Sequence, residues 1–211
     1  MSTTSKLMLS RKQLETICHA DPESIRMLER LFAVGDRLED DEWVDVDHPI
    51  IIRTVAPGQP TLAVLNGNIT MPQWQVNDFH VCESQEFVHG WKEGTEVQWH
   101  IHLTTNGLDA TDRYVKFTLE YGYVDVGGAW VFPALLTSPE LLIPANTPDR
   151  TMFVFNLGSF TPLGFKIGAH AVARLMRIAA VGAAPTNNPF VAMLQMHIQV
   201  NTLGSRTVSA K

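Results

Sequence analysis

The sequence predicts a mainly β protein, an antiparallel jelly-roll-like sandwich or barrel preceded by a short N-terminal α-helical arm. From about residue 43 onward, short runs alternate apolar and polar residues, and the segments between them are rich in Pro, Gly and Asn. No helical periodicity alternates with these runs, which argues against a parallel α/β sheet. The first 42 residues instead carry helix-start signals and an acidic run. We therefore divide the chain into an arm with an acidic hinge, residues 1–42, and a β-domain, residues 43–211.

The arm contains two helix-start signals. Ser10 followed by Gln13 is a capping-box pattern before residues 11–20, and Asp21 followed by Pro22 is an N-cap before a favoured first helical residue. An apolar stripe recurs at helical spacing behind the second signal: Ile25, Leu28, Leu31 and Phe32. A stripe of this kind packs either on its own β-domain or on another chain, and we predict the second. We interpret the acidic run at 39–42, with Asp45 and Asp47, as a solvated hinge.

The β-domain shows its clearest alternation over residues 96–103. In this run Val97, Trp99, Ile101 and Leu103 share one face, and Glu96, Gln98, His100 and His102 share the other. Residues 113–126 predict a long strand that turns at Gly127-Gly128 into a hairpin partner at 129–132. Further strands are predicted at residues 50–55, 61–65, 151–157, 170–181 and 191–201.

Composition and charge exclude several classes of protein. The net charge is −6, with 16 basic and 22 acidic residues, and the basic residues are not clustered as a nucleic-acid surface requires. No apolar stretch is long enough to insert in a membrane, and the N-terminus does not resemble a signal peptide. Two cysteines, Cys18 and Cys82, fall in different predicted elements. We interpret both as free thiols in a protein made in a reducing cytoplasm.

The two histidines of the alternating run are the first candidate site. His100 and His102 leave the same face of a strand, a spacing that lets both bind one metal ion, and His197 on a neighbouring strand could join them. Zinc, iron or nickel would suit such ligands. In a trimer, three copies of the pair could instead hold an octahedral ion such as iron on the threefold axis. The alternative is that these are ordinary polar histidines.

A cupin-like metal-dependent enzyme is the competing interpretation of the same histidines. Gly94 followed by His100 and His102 matches the opening of the cupin metal motif, but the expected Glu is replaced by Asn106 and Gly107. The second cupin motif is absent at its required spacing. No nucleophile elbow or phosphate-binding glycine loop occurs either. We therefore predict no enzyme activity and no required cofactor.

Tryptophans provide a second candidate site. Of the five, Trp99 lies on the apolar face of its strand and is predicted to be core. Trp74 and Trp91 lie in loop-like sequence, so we predict that they form a ligand or partner surface, for example for a host-surface glycan.

Three stretches resemble a family of bacteriophage and prophage virion structural proteins. Residues 87–95 read Phe-Val-His-Gly-Trp-Lys-Glu-Gly-Thr and precede His-Ile-His at 100–102, although the family has Pro where Val88 stands. Residues 196–206 resemble the closing segment of that family, with Asn201 in place of an Asp. Residues 21–32 are similar to the helical opening of several phage tail and fibre-like proteins.

The resemblance implies a non-enzymatic virion component that is made in the host bacterial cytoplasm. It favours a tail-associated part, adaptor-bound, fibre or receptor-binding; a head decoration or head fibre protein is the alternative. Virion parts occupy symmetric positions, so the expected partners are further copies of this chain, as a trimer or larger ring, and other virion proteins. Arg206 is a candidate contact residue, since its guanidinium offers two parallel hydrogen bonds to a carboxylate. The family supplies no catalytic residues to transfer.

Overall fold

A computed structural model describes residues 21–24, 26–28, 42–53 and 56–200. The chain divides into two compact units, Met1–Asp41 and Glu42–Lys211. In the first unit, residues 22–24 and 26–28 are helical. The Ser24 amide donates a hydrogen bond of 2.9 Å to Asp21 Oδ2, so Asp21 caps the helix as its position before Pro22 predicts.

The described part of the second unit forms eleven β-strands. In chain order they are β1 (Glu42–Pro49), β2 (Thr61–Asn66), β3 (Ile69–Gln73), β4 (Phe79–Glu86), β5 (Val97–Thr104), β6 (Arg113–Val124), β7 (Leu136–Thr137), β8 (Leu141–Ile143), β9 (Met152–Phe160), β10 (His170–Ile178) and β11 (Phe190–Val200). All of their pairings are antiparallel.

Two antiparallel sheets pack as a sandwich, which confirms the predicted fold class. The first sheet has the order β1-β11-β5-β9, and the β2–β3 hairpin joins it where β3 meets the beginning of β11. The second sheet has the order β4-β10-β6, with the short strands β7 and β8 beside β6. If the β2–β3 hairpin is left aside, the remaining order is that of a jelly roll, in which most successive strands alternate between the sheets.

The core lies between the sheets and is built from the predicted inward faces. On β5, the inward residues Val97, Trp99, Ile101 and Leu103 are all fully buried. The five predicted inward residues of β6 are buried as well: Val115, Phe117, Leu119, Tyr121 and Tyr123. Each large apolar side chain removed from water contributes about 1.5–3 kcal/mol. Strand alternation therefore accounts for which side chains of β5 and β6 fill the core and which face outward.

The first strand does not lie where the sequence predicts it. Strand β1 spans Glu42–Pro49, whereas residues 51–53, in the middle of the predicted apolar run 50–55, lie outside any strand. The interpretation of Asp45 and Asp47 as hinge residues is wrong, because both lie in β1 and pair with β11. Their carboxylates are tolerated there because this face of the strand is exposed, while Val46 and His48 point into the core.

The predicted and observed hairpins also differ. The partner predicted at 129–132 contributes a single bridge, Tyr123–Val131. Strand β6 pairs instead with β10 along most of its length and with the short strand β7 at Thr118 and Leu119. A hairpin that was not predicted joins β2 to β3 through the turn at Gly67, whose φ of 53° suits glycine. Pro72 within β3 lacks a backbone N–H donor and obscures the strand pattern in the sequence.

Candidate functional site

The outer face of the first sheet carries polar side chains in register across four strands. One row runs from β1 to β9 through Asp47, Gln195, His100 and Asn156. The adjacent row runs through Asp45, His197, Gln98 and Ser159. We call these two rows the polar ladder. Side chains directly opposite or diagonal on neighbouring strands lie close enough to interact, so the ladder brings together residues that are distant in the sequence.

Within the polar ladder, Asp45, His100 and His197 bring three potential metal-binding side chains together. One potential ligand atom from each lies within 4.8 Å of the other two. His100 Nε2 is 3.7 Å from Asp45 Oδ1, and the His100 and His197 ring centroids are 5.8 Å apart. Trp43, at the start of β1, packs edge-on against His197 with ring centroids 4.8 Å apart. Three neighbouring strands thus supply two imidazoles and one carboxylate to one place.

A chain of hydrogen bonds orients His100. The Gln195 amide nitrogen donates to Asp47 Oδ1 at 2.6 Å, which directs the amide oxygen of Gln195 towards His100. His100 Nε2 lies 2.9 Å from that oxygen and donates to it. Because an amide oxygen only accepts, this contact places the ring proton of neutral His100 on Nε2.

Burial and the nearby Asp45 carboxylate act on the pKa of His100 in opposite directions. Only 8% of the residue is exposed. Burial lowers the pKa of His100 below its usual value, and repulsion from His102 and His197 adds to this effect, while Asp45 and the bond to Gln195 oppose it. The net shift is downward, so the ring is neutral near pH 7, the form in which histidine binds metal ions.

The predicted histidine pair is present, but His102 is not one of the three residues whose ligand atoms lie within 4.8 Å of one another. His102 lies on the same face as His100, with ring centroids 5.5 Å apart, and lines the same open depression of about 400 Å³. The carboxylate comes from Asp45, which the sequence interpretation placed in a hinge. The signal that could have revealed it is the alternation in residues 43–48, where Asp45 and Asp47 alternate with Val46 and His48.

The cluster lies on the outer face of the sandwich. Trp99 and Ile101, the neighbours of His100 in sequence, fill the space between the sheets and are fully buried. The cupin-like interpretation required the histidines and a carboxylate to line the interior of the barrel, and the ladder faces the opposite way. The described residues therefore form an open surface site, not an enclosed metal pocket.

The prediction for Trp74 and Trp91 as a contact surface is wrong, because both are buried. Trp74 follows β3, donates from Nε1 to the Val191 carbonyl at 2.9 Å and contacts Phe117. Trp91 packs against Phe87 in a tilted arrangement, with ring centroids 4.6 Å apart. Both side chains belong to the buried core, which the loop-like composition of their segments does not reveal. The partly exposed tryptophans are Trp43 and Trp130 instead.

The other predicted interaction residues belong largely to parts of the chain outside the described ranges. Ile25, Leu31, Phe32 and Arg206 lie outside the described residues, as does Cys18. Leu28 is helical and half-buried. Cys82 is a free, buried thiol, and burial raises its pKa to about 12, so it is unreactive near neutral pH.

Residues 87–95, the first stretch of the virion-family resemblance, form most of the β4–β5 connection, and hydrogen bonds fix this connection to two neighbouring segments. The Lys92 amide donates to the Gln199 carbonyl at 2.8 Å, and Trp91 forms a β-bridge with Val200. Glu93 accepts hydrogen bonds from Lys166 and from the Ile167 amide. These contacts are structural. They join the connection to the end of β11 and to the loop before β10.

Fold and site together define a jelly-roll β-sandwich with a histidine–carboxylate cluster on its outer face. No protein-family model and no curated protein sequence matches the chain. Among solved structures, the chain is similar to one from infectious bursal disease virus strain Gx, with 8% identity, a TM-score of 0.38, and coverage of 79% of this chain and 34% of the viral chain. A structure from strain Gt gives 8% identity, a TM-score of 0.29, and coverage of 77% and 30%.

The chain thus spans about a third of the length of either viral chain. A likeness with such low identity and TM-scores says nothing about function. Within the described residues, no helix has the length and apolar character needed to cross a bilayer.

Proposed function

We propose that this chain is a non-enzymatic structural component of a bacteriophage particle, tail-associated and working as a homo-oligomer. The observation that carries the proposal is the position of two stretches that resemble the virion family. Residues 87–102 and 196–200 are about a hundred residues apart in the sequence, yet β5 and β11 pair side by side, with Trp99 opposite Met196. The Lys92–Gln199 bond extends this contact beyond the strands.

This adjacency supports the resemblance. If the two stretches matched the virion family only by chance, there would be no reason for them to lie side by side in the folded chain. The matching residues build the frame of the sandwich, as expected for a part whose function is to hold its shape. The non-enzymatic part of the proposal rests on the missing catalytic motifs and on the structural contacts of this frame. Docking through the helical arm remains part of the proposal.

An exposed apolar segment between β6 and β7 supports assembly into an oligomer. Val126 and Phe132 are about 70% exposed, and Trp130 stacks on Phe132 with ring centroids 6.1 Å apart. Clustered exposed apolar side chains are typical of surfaces that contact other chains. We expect light scattering to give a mass of three or more copies of the 23.5 kDa chain. Phe132→Asp should reduce that mass, whereas Val181→Asp, at an almost fully exposed position outside this segment, should not.

Particle composition provides the decisive test of the function. Density-purified phage particles from a host that carries the gene should contain the chain in many copies, measured by quantitative mass spectrometry. A chain that lacks residues 1–41 should remain soluble and be missing from the particles, because the arm is the proposed dock. Absence of the full-length chain from every particle fraction would refute the virion assignment. Normal incorporation of the truncated chain would refute the role of the arm only.

A further inference from the structure

We propose that Asp45, His100 and His197 bind one divalent transition-metal ion, with zinc preferred, within a single chain. The site would join β1, β11 and β5 on the outer face of the first sheet. The proposal rests on the geometry of the polar ladder and is independent of the virion assignment.

The spacing of the three groups requires only a small rearrangement. Their ligand atoms lie within 4.8 Å of one another. Zinc bonds of about 2.0–2.2 Å in tetrahedral geometry place neighbouring ligand atoms about 3.3 Å apart. Rotations of the side chains that move each atom by about 1 Å close this gap. The strand backbones need not move, since β1, β11 and β5 are already paired in register.

The chemical types of the three ligand atoms indicate which metal ions the site would prefer. Two imidazole nitrogens and one carboxylate oxygen suit zinc and its first-row neighbours, whereas magnesium and calcium prefer sites made of oxygen alone. The Asp45 side chain is 42% exposed, and the depression beside it opens to solvent, so an ion has a path to the site. A water molecule or the nearby His102 can take the fourth position.

The surrounding residues hold the ligands in place. Trp43 packs against the ring of His197, and in the ion-free chain the Asp47–Gln195 pair orients His100 towards the cluster. Coordination through His100 Nε2 replaces its hydrogen bond to Gln195 and moves the ring proton to Nδ1. The ion would then fasten β1, which lies at the edge of the sheet, to the two strands beside it.

The test is titration of the tag-free, full-length chain with zinc chloride by isothermal calorimetry. We expect saturable binding of one zinc ion per chain. Asp45→Asn and His197→Gln should each weaken binding by roughly 100-fold or more, because loss even of outer-shell partners costs 10–100-fold. His170→Gln, which changes an exposed histidine on the second sheet, is the matched control and should leave the affinity unchanged.

A second measurement does not depend on variants. In wild-type protein, zinc should shift the ring ¹⁵N signals of His100 and His197 and leave those of the inward His48 unchanged, and cobalt should give the intense visible absorption of a tetrahedral site. Three results would overturn the proposal: no saturable binding, an unchanged wild-type affinity in Asp45→Asn and in His197→Gln, or one ion per three chains. The last would place the ion between copies of the chain.

Discussion

The two faces of the first sheet use histidine in opposite ways. His48 points from β1 into the sandwich and is fully buried, while His100 points from β5 to the outer face and joins the polar ladder. His48 Nδ1 donates to the Glu83 carbonyl at 3.2 Å, and its ring lies 5.2 Å from that of Trp99. His48 therefore acts as a core side chain, whereas His100 belongs to a polar network that can exchange partners.

Burial alone does not make the difference, since His100 is also largely buried. The groups that surround each ring determine the different roles of His48 and His100. His100 has a carboxylate, an amide and two further imidazoles within reach. His48 contacts one carbonyl and one aromatic ring, and the charge of Asp47 is the smallest of the influences on its pKa. Three experimental comparisons test how the two faces differ in their contribution to stability.

Removing a core side chain from β5 should have the largest effect. Trp99→Ala leaves a cavity between the sheets and should lower the free energy of unfolding by about 3–5 kcal/mol. His102→Ala, three residues along on the outer face, should lower it by about 0.5 kcal/mol or less. Urea denaturation of both variants measures the contrast. Similar losses would mean that the outer face contributes as much stability as the core.

The pH dependence of the free energy of unfolding should show that His48 is buried in its neutral form. Burial lowers its pKa to about 4, although the Glu83 carbonyl and the charge of Asp47 oppose the shift. The unfolded chain, with a histidine pKa near 6.5, binds the proton more tightly. The stability is therefore complete above pH 6.5 and falls as the pH drops towards 4, by about 3 kcal/mol in total.

Urea unfolding at pH 7.5 and at pH 4.5 measures this loss. His48→Leu should flatten the dependence, and the remaining slope should come from groups such as His80 and His100, whose pKa values are also lowered. Equal slopes in His48→Leu and wild type would show that His48 does not titrate in this range.

The Gln195 relay should have the smallest of the three effects. Gln195→Met keeps the size of the side chain but removes its bonds to His100 and Asp47, which should cost about 1–2 kcal/mol. The matched control is Gln199→Met, on the same face of β11 and outside the relay. Thermal unfolding of both variants provides the comparison. If Gln195→Met and Gln199→Met unfold at the same temperature, the relay orients His100 without stabilising the fold.

The sequence was most informative where one face of a strand is apolar. The alternation in β5, β6 and β11 predicts both the strands and the direction of each side chain, because residues two apart must share a face. The same logic predicts that His100 and His197 face away from the core. The sequence was least informative in segments whose composition is typical of loops, such as those around Trp74 and Trp91 and the acidic beginning of β1.

What the sequence determined by itself is the antiparallel β class, with sandwich and barrel both open, the Asp21 cap and the outward direction of His100 and His197, since each follows from local spacing. Only the tertiary structure decided which residues meet. Asp45 and His197 are about 150 residues apart, and the pairing of β1 with β11 brings them opposite each other. Strand register depends on the packing of the whole core and on the loops that join the strands, so local alternation cannot specify it.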